Sequence, residues 1–329
     1  MDARENILLI RLKSIGDILF TLPAVHAVRE TFPRAKLHFL VSSEYAPMLR
    51  GFADVDEIIP LNRAVYRSGN LKAICTATAE LLRHLRRRNF SLAVDFHGHG
   101  ETGLLAWWSG APERWGGVNH AVRGWLCTRY RWHADRSHPA ERNLSLLEQC
   151  GLKTGAVRNE YVLPSDALAE ARRLFAGLNM DAGGPVLFVQ PFTSTPHKNW
   201  PLVNFLKLAC HWRSRGGRVV FGGSPSERAA LEPARAAGFA VSAGASLLVS
   251  AGLVKLSALT VGGDTGLLHL GVAMGKRVVM LMKSNAPGAS HPFRHPGWTV
   301  LPPEGKPVAE IPVTAAIEAC DPAFAESGG

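Results

Sequence analysis

Short apolar runs of strand length alternate along most of the chain with longer stretches whose apolar residues recur at helical spacing. Ile7–Leu12 is one such run, interrupted by Lys13, Ser14, Ile15, Gly16 and Asp17. Pro23 fits the first turn of a helix better than its interior, which predicts a helix from there to Thr31, closed by Pro33. Lys36–Ser42 is the next predicted strand, completing a βαβ unit with a parallel pair. Lys72–Arg88 reads as a helix with Ile74, Leu81, Leu82 and Leu85 on one side, and Leu92–Phe96 as a strand. Ala111–Asn143 is less regular, and Leu144–Cys150 reads as a helix end stopped by Gly151. Alternation then resumes. Helices are predicted at Ser165–Leu178, Pro201–Arg215, Glu227–Ala237 and Leu267–Met274, and strands at Val186–Gln190, Arg218–Phe221, Leu259–Gly262 and Arg277–Met282. The pattern implies an α/β fold with a doubly wound parallel sheet in each half, and Asp181–Pro185 is a loop suited to a domain boundary.

Composition narrows the function classes. A chain of 329 residues suits two domains, each with its own core. Its 37 Lys and Arg against 27 Asp and Glu leave a net charge of +10, which favours an anionic partner: a nucleotide, a phosphorylated glycan, an acidic membrane surface or nucleic acid. No apolar run approaches the roughly 20 residues of a transmembrane helix, and the Ile7–Ile10 run is too short for a signal-peptide core. The five cysteines are scattered and include no C-x-x-C pair, so neither a disulfide framework nor a metal site is expected. A soluble cytoplasmic protein is the expectation.

In open α/β sheets ligands bind beyond the carboxyl ends of the strands, a rule that selects four loops. After the first strand, Gly16 permits close approach of a ligand, and Asp17 places a carboxylate where a general base would stand; it also reads as a cap or turn residue. After the strand ending at Gln190, Thr193, Ser194, Thr195 and Lys198 are suited to phosphate oxygens, or equally to a solvated loop. Gly262, Gly263, Asp264, Thr265 and Gly266 form a glycine-rich turn into a helix, which aims backbone N–H groups at a pyrophosphate, with His269 one turn further on. The G-x-x-x-x-G-K-[ST] spacing of an ATPase is missing. After Phe221, Glu227 suits ribose hydroxyls or simply the first turn of a helix.

Gly98–Gly103 matches G-x-G-x-x-G literally. However, Pro112 cuts the following helix short, and no acidic residue lies between Arg114 and Tyr130, so a dinucleotide site is not expected; His97 and His99 remain candidates to line a cleft. Arg83, Arg86, Arg87 and Arg88 end a helix, where cations complement its dipole. Six arginines between Arg114 and Arg142 are interleaved with Trp115, Trp125 and Trp132, a pattern open to a phosphorylated acceptor or to single-stranded nucleic acid.

Several of these segments resemble one family. Asn6–Val25, with its Ile-Arg-Leu-Lys-Ser-Ile-Gly-Asp core, is similar to the N-terminal signature of glycosyltransferase family 9, the lipopolysaccharide heptosyltransferases. Gly263–Lys276 resembles that family's donor-site motif, His197–Pro201 its Lys-x-Trp-Pro element, and Asp95–Gly98 its Asp-Leu-Gln-Gly segment, with Phe96 and His97 as departures. The resemblance implies a GT-B architecture, two Rossmann-like domains facing across a cleft. Residues 1–164 would bind the acceptor and 165–329 the nucleotide sugar, with the C-terminal tail packing back on the first domain. It implies an inverting transferase that moves heptose from ADP-heptose to a lipopolysaccharide core or related bacterial surface glycan at the inner face of the inner membrane. No cofactor is implied beyond the nucleotide-sugar co-substrate. Asp17 would be the catalytic base. Thr193, Ser194, Lys198, Asp264, Thr265, Gly266 and His269, with Glu227 more loosely, would bind the donor, and Lys13, Ser14, Gly16 and His97 would line the acceptor cleft. A different nucleotide sugar, or a non-catalytic nucleic-acid- or nucleotide-binding protein, is the alternative.

Overall fold

The computed structural model describes residues 5–118, 125–132, 137–181 and 183–326. The chain divides into two units, Met1–Glu160 and Tyr161–Gly329.

The first unit runs β1 (Asn6–Ile10), α1 (Ile15–Leu19), α2 (Leu22–Thr31), β2 (Lys36–Ser42), β3 (Glu57–Leu61), α3 (Arg63–Arg67), α4 (Leu71–Arg86), β4 (Leu92–Asp95), α5 (Gly100–Trp108), β5 (Glu113–Val118), β6 (Arg129–Trp132) and α6 (Pro139–Gln149). The second runs α7 (Ser165–Gly177), β7 (Val186–Gln190), α8 (Leu202–Ser214), β8 (Arg218–Gly223), α9 (Glu232–Ala236), β9 (Ala240–Ala243), α10 (Leu247–Leu256), β10 (Leu259–Gly263), α11 (Gly266–Ala273), β11 (Val278–Leu281), β12 (Thr299–Val300) and α12 (Val313–Glu326).

Among the described residues each unit carries one six-stranded sheet, ordered β3-β2-β1-β4-β5-β6 and β12-β11-β10-β7-β8-β9. Every pairing is parallel. Each unit therefore repeats the Rossmann-like order 3-2-1-4-5-6, with its topological switch point between β1 and β4 in the first sheet and between β7 and β10 in the second. The fold is the α/β, doubly wound GT-B class that the alternation and the resemblance imply.

Burial explains which strands are central. Ile7–Ile10 and Leu187–Val189 are fully buried, as expected of strands covered by helices on both faces. Pro60, which has no N–H to give to a ladder, lies in the edge strand β3. The first core gathers Leu8, Ile10, Leu40, Ile59, Leu85 and Phe90. The second packs Trp200, Phe205, Trp212 and Phe221 with Ala316, Cys320 and Ala323 of α12. The Trp200 indole N–H donates to the Ile311 carbonyl at 2.9 Å, and that of Trp212 to the Pro185 carbonyl at 2.9 Å. The buried face of α12 thus belongs to the core of the second unit.

Several elements differ from the sequence reading. The predicted helix Glu227–Ala237 is a 3-10 turn at Pro225–Glu227 followed by α9, because Pro233 opens a new first turn. The loop at 181–185 falls inside the second unit, whose α7 packs on α10. The irregular stretch from Ala111 onward supplies the strands β5 and β6.

Candidate active site

The loops at the first switch point leave β1 and β4. Arg11 follows the last residue of β1, and its guanidinium reaches three partners. Nε–H donates to the Lys13 carbonyl at 3.0 Å, Nη1–H to the Phe96 carbonyl at 2.7 Å, and Nη2 pairs with Asp17 Oδ1 at 2.9 Å. The other carboxylate oxygen, Oδ2, accepts from the Ser14 backbone N–H at 3.3 Å and from its hydroxyl at 3.0 Å. Asp17 is therefore a first-turn cap of α1, and it also stands at the ligand-binding edge of the sheet. Burial pushes its pKa up, but the Arg11 charge and the Ser14 and Arg11 hydrogen bonds outweigh that and hold it below the usual carboxylate range. Gly16 sits beside it in α1 and Lys13 in the turn before.

The loop after β4 is organised by Asp95, which is 2% exposed. Its Oδ1 accepts from the backbone N–H groups of His97 (2.9 Å) and Gly98 (3.1 Å), and its Oδ2 from the Thr102 hydroxyl (2.8 Å). Gly98 holds a positive φ of 70° in this tight turn, a conformation that glycine adopts without strain. Burial raises Asp95 to about 6 despite these bonds. His97 Nδ1 accepts the Leu12 backbone N–H at 3.4 Å, and its ring lies edge-on to that of His99. Burial, then the Arg11 and His99 charges, lower His97 to about 3, so the ring is neutral near pH 7 with its proton on Nε2. The literal G-x-G-x-x-G segment gives only the nine-residue α5, followed by β5 with no acidic side chain of the dinucleotide pattern beyond it.

The second switch point gathers most of the predicted donor residues. Asp264, at the end of β10, accepts from Lys198 Nζ (2.9 Å) and the Ser290 hydroxyl (3.1 Å) at Oδ2, while His269 Nε2 lies 3.0 Å from Oδ1. Burial opposes the charge, yet His269 and Lys198 together keep the Asp264 pKa far below its ordinary value. Gly262 and Gly263 let the β7 loop close onto this turn. A Cβ at Gly263 would meet Thr193 Cγ2 at 2.5 Å, and one at Gly262 the Gln190 carbonyl at 2.4 Å. Thr193 is fixed by its N–H to Asn199 Oδ1 (2.8 Å) and its hydroxyl to the Thr195 carbonyl (2.8 Å). Ser194 is exposed on the same loop, its Oγ 3.5 Å from the Thr195 hydroxyl. Thr265 is the N-cap residue of α11, whose first intrahelical bond runs from His269 N–H to the Thr265 carbonyl (3.3 Å). The amides of Gly266, Leu267 and Leu268 precede that bond and make the positive end of the helix. The Thr265 hydroxyl is buried there without a hydrogen-bond partner among the described residues.

Glu227 is not drawn into this cluster. Its Oε2 accepts the Ser224 backbone N–H at 2.7 Å and caps its own turn at the end of β8. In the Arg- and Trp-rich stretch, Trp115 is buried at 3% exposure, Arg114 donates to the Leu126 and Ala111 carbonyls and Arg129 to the Cys150 carbonyl, whereas Trp125 and Tyr130 are exposed. Arg123, Arg136 and the Trp132 side chain lie outside the described residues. Arg11, Asp95 and Ser290 were not singled out by sequence. Arg11 and Asp95 sit within the quoted motifs, whereas Ser290 carries no sequence signal. Among the described residues no three His, Cys, Asp or Glu side chains come together as a metal site.

The family model described as Glycosyltransferase family 9 (heptosyltransferase) matches residues 78–304. Lipopolysaccharide heptosyltransferase 1 of Escherichia coli K12 is 24% identical over 299 residues, covering 86% of this chain and 89% of the relative. The enzyme of the same name from Pseudomonas aeruginosa is 25% identical, covering 86% and 80%. Among solved structures, a glycosyl transferase family 9 protein from Veillonella parvula superposes with a TM-score of 0.85 at 19% identity, over 99% of each chain. An Escherichia coli heptosyltransferase with ADP gives 0.78 at 21% identity, over 97% and 99%. With the family model spanning more than half of the 329 residues, this chain belongs to glycosyltransferase family 9.

Proposed function

We propose that this glycosyltransferase moves a heptosyl group from ADP-heptose to a lipopolysaccharide inner core or a related bacterial surface glycan, inverting the anomeric centre. The sugar nucleotide sits on residues 165–329 and the acceptor on residues 1–164. The names of the relatives support the donor and acceptor, as does a related Escherichia coli heptosyltransferase solved with ADP-2-deoxy-2-fluoro heptose. The observation that carries the reading is the pairing of chemistries at the two switch points: an ionised carboxylate, Asp17, at one, and Lys198 beside a helix N-terminus at the other.

In this mechanism an acceptor hydroxyl attacks the anomeric carbon, and its proton passes to a free lone pair of the Asp17 carboxylate. The bond from that carbon to the diphosphate oxygen breaks, and the electron pair leaves with ADP. Lys198, the Thr265 hydroxyl and the first amides of α11 stabilise the charge gained by the leaving group, and Thr193, whose hydroxyl donates to the Thr195 carbonyl, fixes the loop beside them. Asp264 is itself anionic, so its part is to hold Lys198 and His269 in place. His97 offers the acceptor a neutral Nε2–H donor, and Lys13 a cation for its phosphates. Ser194 adds a hydroxyl on the donor side, and Gly16 keeps the backbone beside Asp17 free of a side chain.

The protein works at an anionic membrane surface, against which α4 is the docking element. Lys72, Arg83 and Arg86 are exposed on one side of that helix, Arg87 is exposed at its C-cap, and Leu71 is 76% exposed at its start. No helix among the described residues is long and apolar enough to cross a membrane.

A thermal-shift panel of ADP-, UDP-, GDP- and CDP-linked sugars, followed by product analysis with the best donor, tests the assignment. ADP-heptose should give the largest shift and an inverted product. Asp17→Asn should lower kcat by about 10²–10⁴-fold with donor affinity within a fewfold, the range for a lost general base. Unchanged turnover in that variant would remove Asp17 as the base.

A further inference from the structure

We infer that Arg11 is the positioning residue of the transfer reaction, clamping the Asp17 carboxylate in one orientation against the loop that follows β4. The inference rests on the reading of Asp17 as the base and adds a residue to which that reading gives no role.

The argument starts from where Arg11 is anchored. Its backbone N–H donates to the Leu40 carbonyl at 3.2 Å, extending the β1–β2 pairing by one residue, so the Cα belongs to the rigid sheet and not to the loop. From there the side chain crosses the switch point. Nε–H donates to the Lys13 carbonyl and Nη1–H to the Phe96 carbonyl, on the loops after β1 and β4, and Nη2 meets Asp17 Oδ1. Phe96 is itself held, its N–H donating to the Ile10 carbonyl at 3.0 Å. A planar fork with five N–H groups can satisfy three partners in fixed directions at once. An ammonium on a flexible stem offers no such plane.

The carboxylate is gripped from both sides as a result, with Ser14 on Oδ2 and Arg11 on Oδ1. Rotation about its Cβ–Cγ bond would break bonds on either side, which leaves one fixed set of lone pairs for an incoming hydroxyl. The guanidinium side chain is 17% exposed and lies in direct contact with the carboxylate at 2.9 Å, so its charge acts on Asp17 at close range although the carboxylate is itself 40% exposed. The other charged or titratable groups facing it are Lys13 on its own loop and Asp95, His97 and His99 on β4 and the loop beyond. Of these, His97 is neutral and Lys13 reinforces the sign of Arg11. Asp95 is the one opposing charge, and it is occupied by three donors of its own. Arg11 also lowers Asp17 by charge and by hydrogen bond, in agreement with the geometry.

The test uses the full chain as Arg11→Met, Arg11→Lys and Asp17→Asn, with ADP-heptose and an inner-core lipopolysaccharide acceptor. Melting curves and ADP titration serve as folding controls. Arg11→Met should lower kcat about 100-fold with the donor KM within about threefold, and should move the acid limb of the kcat profile up by at least about one pH unit. Arg11→Lys should keep the limb near its original position, because the charge remains, yet lose at least about tenfold in kcat, because the fork is gone. A ¹³C titration of the Asp17 carboxyl in unmodified protein and in both variants reads the same shift without any substrate. Wild-type kcat in either variant would overturn the proposal, as would loss of activity with the limb and the ¹³C titration of Arg11→Met unmoved, the signature of a purely structural brace. Should Arg11→Met fail to fold, Arg11→Lys at wild-type kcat would do the same. Full turnover by Asp17→Asn is a separate outcome, one that defeats the base assignment whatever the Arg11 variants do.

Discussion

Lys198 illustrates how much of the site is held by a single carboxylate. Its ammonium rests on Asp264 Oδ2, which also takes the Ser290 hydroxyl, while the opposite oxygen faces His269. A lysine side chain 43% exposed would otherwise sample many rotamers; one fixed partner keeps it beside the positive end of α11. Arrival of a diphosphate gives that ammonium a second anion, and a charge-assisted bond of this kind contributes about 1.5–3 kcal/mol. Lys198→Ala is therefore expected to weaken ADP binding by about 10–100-fold in a calorimetric titration, and a change below twofold would take Lys198 out of the donor site. Residue identity was legible where a motif named it, as with Asp17, Lys198 and His269. It was not legible for Arg11 or Ser290. An arginine at a strand end and a serine in a loop are ordinary until the fold shows that their atoms converge on a carboxylate.

Among the elements, the strands with unbroken apolar runs were readable, and those at the sheet margins were not. β1, β4, β7, β10 and β11 are buried on both faces and carry the signal in Leu, Ile and Val. β5 reads Glu-Arg-Trp-Gly-Gly-Val and β6 Arg-Tyr-Arg-Trp, and their polarity hides them because the margin of a sheet needs less apolar surface. α10 escaped notice for the opposite reason: Leu248, Val249, Leu253 and Val254 are buried and its polar positions are too few to set a period. The turn after β4 adds a pH dependence that no periodicity encodes. Asp95 titrates at about 6 in the folded chain against an ordinary value of 3.8, so its contribution to stability is complete below pH 4 and is lost as pH rises through 6. Asp95→Asn can retain the two backbone N–H bonds without the buried charge. In urea melts the stability of the variant relative to the parent should improve by about 1.5 kcal/mol between pH 5 and pH 7.5. A difference that stays constant over that range would contradict a raised Asp95.

At the scale of the whole molecule, the net charge of +10 said that an anion is involved without saying where. The two units divide the answer. The second switch point presents a lysine and a helix N-terminus, the chemistry of a nucleotide diphosphate. Lys72, Arg83 and Arg86 on α4, with Arg87 at its C-cap, are the exposed cations that the proposed membrane contact would use. Each Lys or Arg near an anionic leaflet contributes about 1 kcal/mol, an effect that salt screens within a Debye length of about 10 Å at 0.1 M. Flotation with phosphatidylglycerol vesicles should therefore recover the protein at low salt and lose it toward 0.5 M. Charge reversal of Lys72 and Arg83 together should weaken that recovery about tenfold or more, while binding to neutral phosphatidylcholine vesicles stays weak throughout. Equal recovery on both lipids would reject α4 as the docking element. The division into two α/β halves was legible because alternation restarts after Ser165. The division read at 164/165 lies close to the seam after Glu160, whereas the loop at 181–185, the other boundary candidate, falls inside the second unit, where α7 packs on α10.

The shared strand order also bears on how the chain matures as it is made. In each unit the first strand to emerge, β1 or β7, takes a central place in its sheet, and later strands add outward on either side. The first sheet is complete once β6 has been synthesised, so this half can fold while the ribosome, at about 5–20 residues per second, is still building the other. The second half has no such head start. Trp200 and Trp212 are covered by Ile311, Ala316, Cys320 and Ala323, so its core stays open to solvent until α12 has left the tunnel. Between β7 and α12 the tryptophans of the second core therefore lack the residues that cover them, in the half that carries the predicted donor residues.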